Sequence, residues 1–152
     1  MIKQIKFVSV PVADQDRALD FYTEKLGFTI ITDQPFDEKQ RWIELRVPKA
    51  ETRVVLFTTD DDKGRIGTFM NMSYTCDNLQ KTYEELKKRG VEFENPPKKE
   101  HWGNFAIFKD SEGNRFVAWH MGMAMEKNVA IEGRLAGRRR NMLQAEPDPI
   151  SR

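Results

Sequence analysis

Few side chains in this sequence are placed to do chemistry. Glu44 lies in a strand-like run from Arg41 to Val47, and His101 stands beside Trp102 in a loop with Lys98, Lys99 and Glu100. A carboxylate and an imidazole converging on one cavity would form a general acid/base pair, and these two are the catalytic candidates. The second histidine, His120, ends another strand-like run. No helix-face spacing relates it to His101, so the two read as lone histidines and not as metal ligands. Cys76 falls on the apolar face of an alternating stretch and reads as a buried, inert thiol. As the only cysteine it excludes a disulfide framework and a cysteine-based zinc site.

Short elements must position these residues. Phe7 to Val12 alternates, with Val8, Val10 and Val12 on one face and Phe7, Ser9 and Pro11 on the other, the period of a strand. Asp14 offers an N-cap for a helix carrying Ala18, Leu19, Tyr22 and Leu26, which Gly27 ends. Phe28 to Asp33, Arg41 to Val47 and Arg53 to Thr58 follow as strands. The order then restarts. Phe69 to Cys76 alternates, Asp77 or Asn78 caps a helix with Leu79, Tyr83 and Leu86, and Gly90 closes it. Val91 to Glu94, Asn104 to Phe108 and Arg115 to Trp119 complete the set, the last two joined by an Asp110-to-Asn114 turn. Ser9 matches Ser73 and Leu19 matches Tyr83 at an offset of about 64 residues, the sign of an internal duplication. An α+β fold of two βαβββ modules around a cupped, largely antiparallel mixed sheet is expected. Residues 1–120 should form one domain, its modules at about 5–59 and 68–120. The charged Asp60-to-Gly67 stretch would link them. Residues 121–152 read as an extension, part helical or disordered.

These stretches resemble the vicinal oxygen chelate superfamily of glyoxalases, bleomycin-resistance proteins and dioxygenases. Val10-Pro11-Val12-Ala13-Asp14, then Arg17 to Tyr22 and Leu26-Gly27-Phe28, look like its first strand and helix. Tyr83 to Leu86 with Arg89-Gly90-Val91 look like its second helix. Trp102-Gly103 and the Asp110-to-Phe116 hairpin look like its closing motif, with Ser111 where proline is usual. The resemblance spans residues 5–119 and implies the fold far more sharply than an activity. It also implies where metal-dependent members place ligands, and those positions here are Phe7, Val55, Asn71 and Val117. Phenylalanine and valine offer no donor atom, so the usual metal site is expected to be absent, and no cofactor is expected.

With this registration the cup presents Phe7 and Ser9, then Trp42, Glu44 and Arg46, then Arg53, Val55 and Phe57. The second half adds Phe69, Asn71, Ser73, Arg115, Val117 and Trp119, and Trp102 closes one end. Aromatic faces with a few polar anchors suit a small-molecule pocket. The bland alternative has Glu44 paired with Arg53 or Arg115 in an internal ion pair and the aromatics filling the cup. Three readings follow: a metal-free small-molecule binding protein, an enzyme of lyase, isomerase or dioxygenase type using non-standard residues, or an interaction module with a decayed site. The resemblance implies a homodimer.

A formal charge of +1 sets up no field for nucleic acid, and the Arg138-Arg139-Arg140 triplet reads as a solvated face. The N-terminal Met1-Ile2-Lys3-Gln4 has no apolar signal core and no run is long enough to span a bilayer. A cytoplasmic location with no membrane partner is expected.

Overall fold

The computed structural model describes residues 1–121, and for Met121 the backbone alone. The extension expected beyond that point, with its arginine triplet, lies outside the described residues.

The first half runs β1 (Phe7–Val10), α1 (Gln15–Asp20), β2 (Thr29–Pro35), β3 (Arg41–Arg46) and β4 (Arg53–Leu56). The second runs β5 (Phe69–Thr75), α2 (Leu79–Lys88), β6 (Glu92–Phe93), β7 (Lys98–Glu100), β8 (Gly103–Lys109) and β9 (Arg115–Met121). Asp14 and Asn78 do cap the two helices, each accepting a hydrogen bond from a first-turn backbone N–H, that of Arg17 and of Lys81. The helix expected to run unbroken to Gly27 changes character at Phe21. Residues Phe21–Lys25 form a π-helical turn, and the Leu26 N–H reaches the Phe21 carbonyl five residues back. Gly27, at φ +75°, then turns the chain into β2.

The strands form two sheets, in the orders β1-β4-β3-β2 and β5-β9-β8-β6, with β7 also paired to β8. In each, the first and last strands of the half run parallel and the other pairs are antiparallel. The α+β class and the repeated βαβββ order are those expected. The loop holding His101 differs: Lys98–Glu100 pairs with β8 as a hairpin, leaving His101 and Trp102 as its turn. Charged residues at all three of its positions mask the strand, because both of its faces are exposed.

One core serves both sheets. Val10, Ile43, Leu45, Val54 and Leu56 from the first half join Met70, Ala106, Phe108, Phe116 and Ala118 from the second, with Ala18, Phe21 and Tyr22 between them. Each fully buried aliphatic side chain there contributes about 1.5–3 kcal/mol. Polar contacts then fix the two halves against each other. The Tyr22 hydroxyl donates to Asp110 Oδ2 at 2.7 Å, and Asn114 Nδ2 donates to the Pro11 carbonyl at 2.8 Å. Glu112 accepts from the Ala13 N–H at 2.8 Å and pairs with Arg17 at 2.8 Å. All of these join the β8–β9 turn to the first helix, Tyr22 and the segment that follows β1.

Candidate functional site

The register decides which side chains share each open face. In the first sheet Phe7 lies beside Arg53 and Arg53 beside Arg46, while Ser9 lies beside Val55 and Val55 beside Glu44. Trp42 and Phe57 continue the same face. Ile43 and Leu45, which alternate with these residues, are fully buried on the helix side. Phe7, Ser9, Trp42, Glu44, Arg46, Arg53, Val55 and Phe57 therefore stand together, as the alternation required.

Aromatic rings dominate this face. Trp42 meets Phe7 edge-on at 5.3 Å between centroids and lies 5.4 Å from Phe57. Phe36, in the turn after β2, packs on Phe57 at 4.8 Å and on Trp42 at 6.3 Å. Phe36 is 61% exposed and Phe7 36%, so the cluster is open to solvent. Beneath it Val55 is completely buried. Sequence reasoning missed Phe36 because it sits off the strand, where no period marks its direction. The exposed apolar residue after Pro35 was the available signal.

Glu44 is tied into this surface. Its Oε1 lies 3.2 Å from Arg53 Nη1, and Trp42 Nε1 donates to its Oε2 at 3.5 Å. The bland pairing with Arg53 thus forms, whereas Arg115 pairs with Glu94 at 3.4 Å. His101 is exposed in the β7–β8 turn, on the other sheet. No described hydrogen bond, ion pair or ring contact joins it to the first sheet.

The open face of the second sheet carries Phe69, Ser73, Arg115, Val117 and Trp119. Phe105 lies opposite Trp119, and the Trp102 ring stacks on Phe105 at 5.4 Å. The Trp119 indole N–H is buried without a hydrogen-bond partner among the described residues. Asn71, on the same strand as Phe69 and Ser73, is exposed and sits in an irregularity. Four residue steps of β5, Phe69 to Ser73, span two steps of β9, and Asn71 takes up the slack at φ +53°. Asparagine is among the few residues besides glycine that enter this region readily. The positions that carry ligands in metal-dependent relatives are thus split, Phe7 and Val55 on one face and Asn71 and Val117 on the other. Three carbon side chains and one amide do not fit a divalent cation. Among the described residues no three His, Cys, Asp or Glu side chains cluster.

Other hollows are less suited to a ligand. One, a groove of about 860 Å³, lies at the strand ends by the start of α1. Its polar groups are spent on one another: the Gln15 amide bonds the Arg41 backbone through both its oxygen and nitrogen, and Gln40 does the same to Thr58. A cleft of about 570 Å³ runs between the halves on the helix side, lined by groups such as Val8, Phe28, Met72 and Leu86. Cys76 edges it, and burial pushes its thiol up, away from nucleophilic behaviour. His120 faces away from both open faces, its Nδ1 3.0 Å from the Cys76 carbonyl.

The family model for the Glyoxalase/Bleomycin resistance protein/Dioxygenase superfamily matches residues 4–118. The uncharacterized protein YetH of Bacillus subtilis (strain 168) is 41% identical over 117 residues, covering 77% of this chain and 98% of YetH. A superfamily member from Sphaerobacter thermophilus DSM 20745 has a solved structure that superposes with a TM-score of 0.71 at 32% identity, covering 78% of this chain and 97% of that one. TnmS3, an antibiotic binding protein from Streptomyces sp. CB03234, superposes with a TM-score of 0.71 at 31% identity, covering 80% of this chain and 98% of its own. On fold, strand order and sequence together, the chain belongs to the Glyoxalase/Bleomycin resistance protein/Dioxygenase superfamily.

Proposed function

We propose that this protein binds a small organic molecule with a flat aromatic portion, without a metal ion, and that it works as a cytoplasmic homodimer. The observation that carries this reading is the solvent-open cluster of Phe7, Phe36, Trp42 and Phe57. Exposed rings held by mutual edge contacts form a stacking platform whose side chains lose little further freedom on binding. The likeness to TnmS3, an antibiotic binding protein, supports small-molecule binding. Among the described residues no ring contact, hydrogen bond or ion pair joins the two open faces, and in this reading a second copy supplies the opposite wall, with its Trp102, Phe105 and Trp119 region over the first sheet.

An acid/base enzyme built on Glu44 and His101 finds less support. The carboxylate already holds Arg53 and Trp42, and the imidazole stands on the other sheet. Isothermal calorimetry with acridine, anthraquinone and naphthalene derivatives, alongside light scattering, tests the binding reading. Binding to a dimer is expected, weakened about tenfold or more by Trp42→Ala. A panel that gives no heat and no shift in melting temperature would overturn it.

A further inference from the structure

The duplication places the same three-residue row at the same end of each open face, but the two rows are not balanced alike. In the second sheet Phe69 lies beside Arg115 and Arg115 opposite Lys109. Two like charges directly across a strand pair repel. Each is answered there by a carboxylate: Lys109 by Glu92 at 3.0 Å and Arg115 by Glu94 at 3.4 Å. In the first sheet Phe7 lies beside Arg53 and Arg53 opposite Arg46. Glu44 answers Arg53, but the residue opposite Arg46 on the outer strand is Thr29, where the second half has Glu92 opposite Lys109. Among the described residues Arg46 has no carboxylate within ion-pairing distance. Among the described residues Arg46 thus stands without an ion-pair partner next to Arg53, which lies beside Phe7. Phe7 itself leans on Trp42 at 5.3 Å, and Lys3, Lys6 and Glu51 line the groove by Glu44 and Arg53.

We infer that this row is an anion site, and that the aromatic ligand carries a carboxylate or similar acidic group seated on Arg46 and Arg53. This rests on the binding reading above and adds the ligand's charge to it. A guanidinium presents a planar fork of donors that matches a carboxylate in two parallel hydrogen bonds. The ring system would stack on Trp42 while its acid reaches the arginine row. The excess charge costs the free protein some cross-strand repulsion, and an anionic ligand relieves it where a neutral one does not.

Anthracene-9-carboxylate, its methyl ester and 9-(aminomethyl)anthracene separate these contributions, since all three share one ring system. Calorimetry on the full chain should show the acid binding about tenfold more tightly than the ester, and the amine more weakly than either. Arg46→Gln should lower the acid's affinity toward that of the ester. Lys109→Gln, at the balanced row, should leave the preference intact. Raising the salt concentration should narrow the gap between acid and ester. Equal binding of acid and ester by the unaltered protein would overturn the anion site yet leave the aromatic platform standing. Failure of all three probes to bind would overturn both.

Discussion

At the scale of single residues, Asp110 combines the most chemistry in the least space. It is 6% exposed and accepts four hydrogen bonds, from the Tyr22 hydroxyl, the Asn114 amide and the backbone N–H groups of Glu112 and Asn114. Burial pushes its carboxyl above the ordinary value, and these donors pull partly back. The folded protein therefore keeps the Asp110 proton to higher pH than the unfolded chain does. Stability from this group is fully present below the unfolded value and is lost as the pH rises through the folded one. Urea unfolding of the wild type and of Asp110→Asn across the acidic range should show the wild type's advantage shrinking as the pH rises through that window. A pH-independent difference would contradict the assignment. Tyr22, completely buried against this carboxylate, is held well above the usual phenol range by burial first and by Asp110 second, so its hydroxyl remains a donor.

At the scale of elements, side chains complete the sheets where strand pairing ends. Thr58 is the clearest case. Its hydroxyl accepts from the Val12 N–H and donates to the Val12 carbonyl, both at 2.7 Å, tying the end of β4 to the exit of β1. Gln15 spans the same region, bonding the Arg41 backbone and the Leu56 carbonyl. Thr58→Val keeps the shape but strands a buried N–H and carbonyl, and should cost about 2 kcal/mol in denaturant melts. Val55→Thr changes size equally little within β4 but on the open face, away from this join.

At the scale of the whole molecule, the two halves hold together through one core, and the polar ties at Asp110, Glu112 and Asn114 all cross from one half to the other. Neither half keeps its buried surface alone. Calorimetric unfolding is therefore expected as one cooperative transition, with calorimetric and van't Hoff enthalpies equal. Glu112→Ala should lower its temperature without splitting it. Two resolved transitions would mean that the halves are separate folding units. The shared core occupies the helix side of both sheets, so the aromatic face of the first sheet stays uncovered among the described residues.

Much of this was legible in the linear chain. Alternation in Phe7 to Val12, Arg41 to Val47 and Arg53 to Thr58 told which residues face the core, because a strand's side chains have period two whatever the strand packs against. The repeat at an offset of about 64 residues and the caps at Asp14 and at Asp77 or Asn78 placed the modules and helices, since these signals are local. The strand at Lys98–Glu100 escaped, being charged on both faces, and so did Phe36, which no period governs. Asn71 escaped as well: its strand parity was legible, but the extra residues between Phe69 and Ser73 exist only in the pairing of β5 with β9. The sequence by itself determined which side chains each open face could carry. Only the tertiary structure decided that Phe36 joins the rings of Trp42 and Phe57, that Arg53 takes Glu44, and that Arg46 lies opposite Arg53 with no carboxylate in ion-pairing distance among the described residues. Each of these depends on contacts between segments distant along the chain, and no local periodicity records which segment becomes whose neighbour.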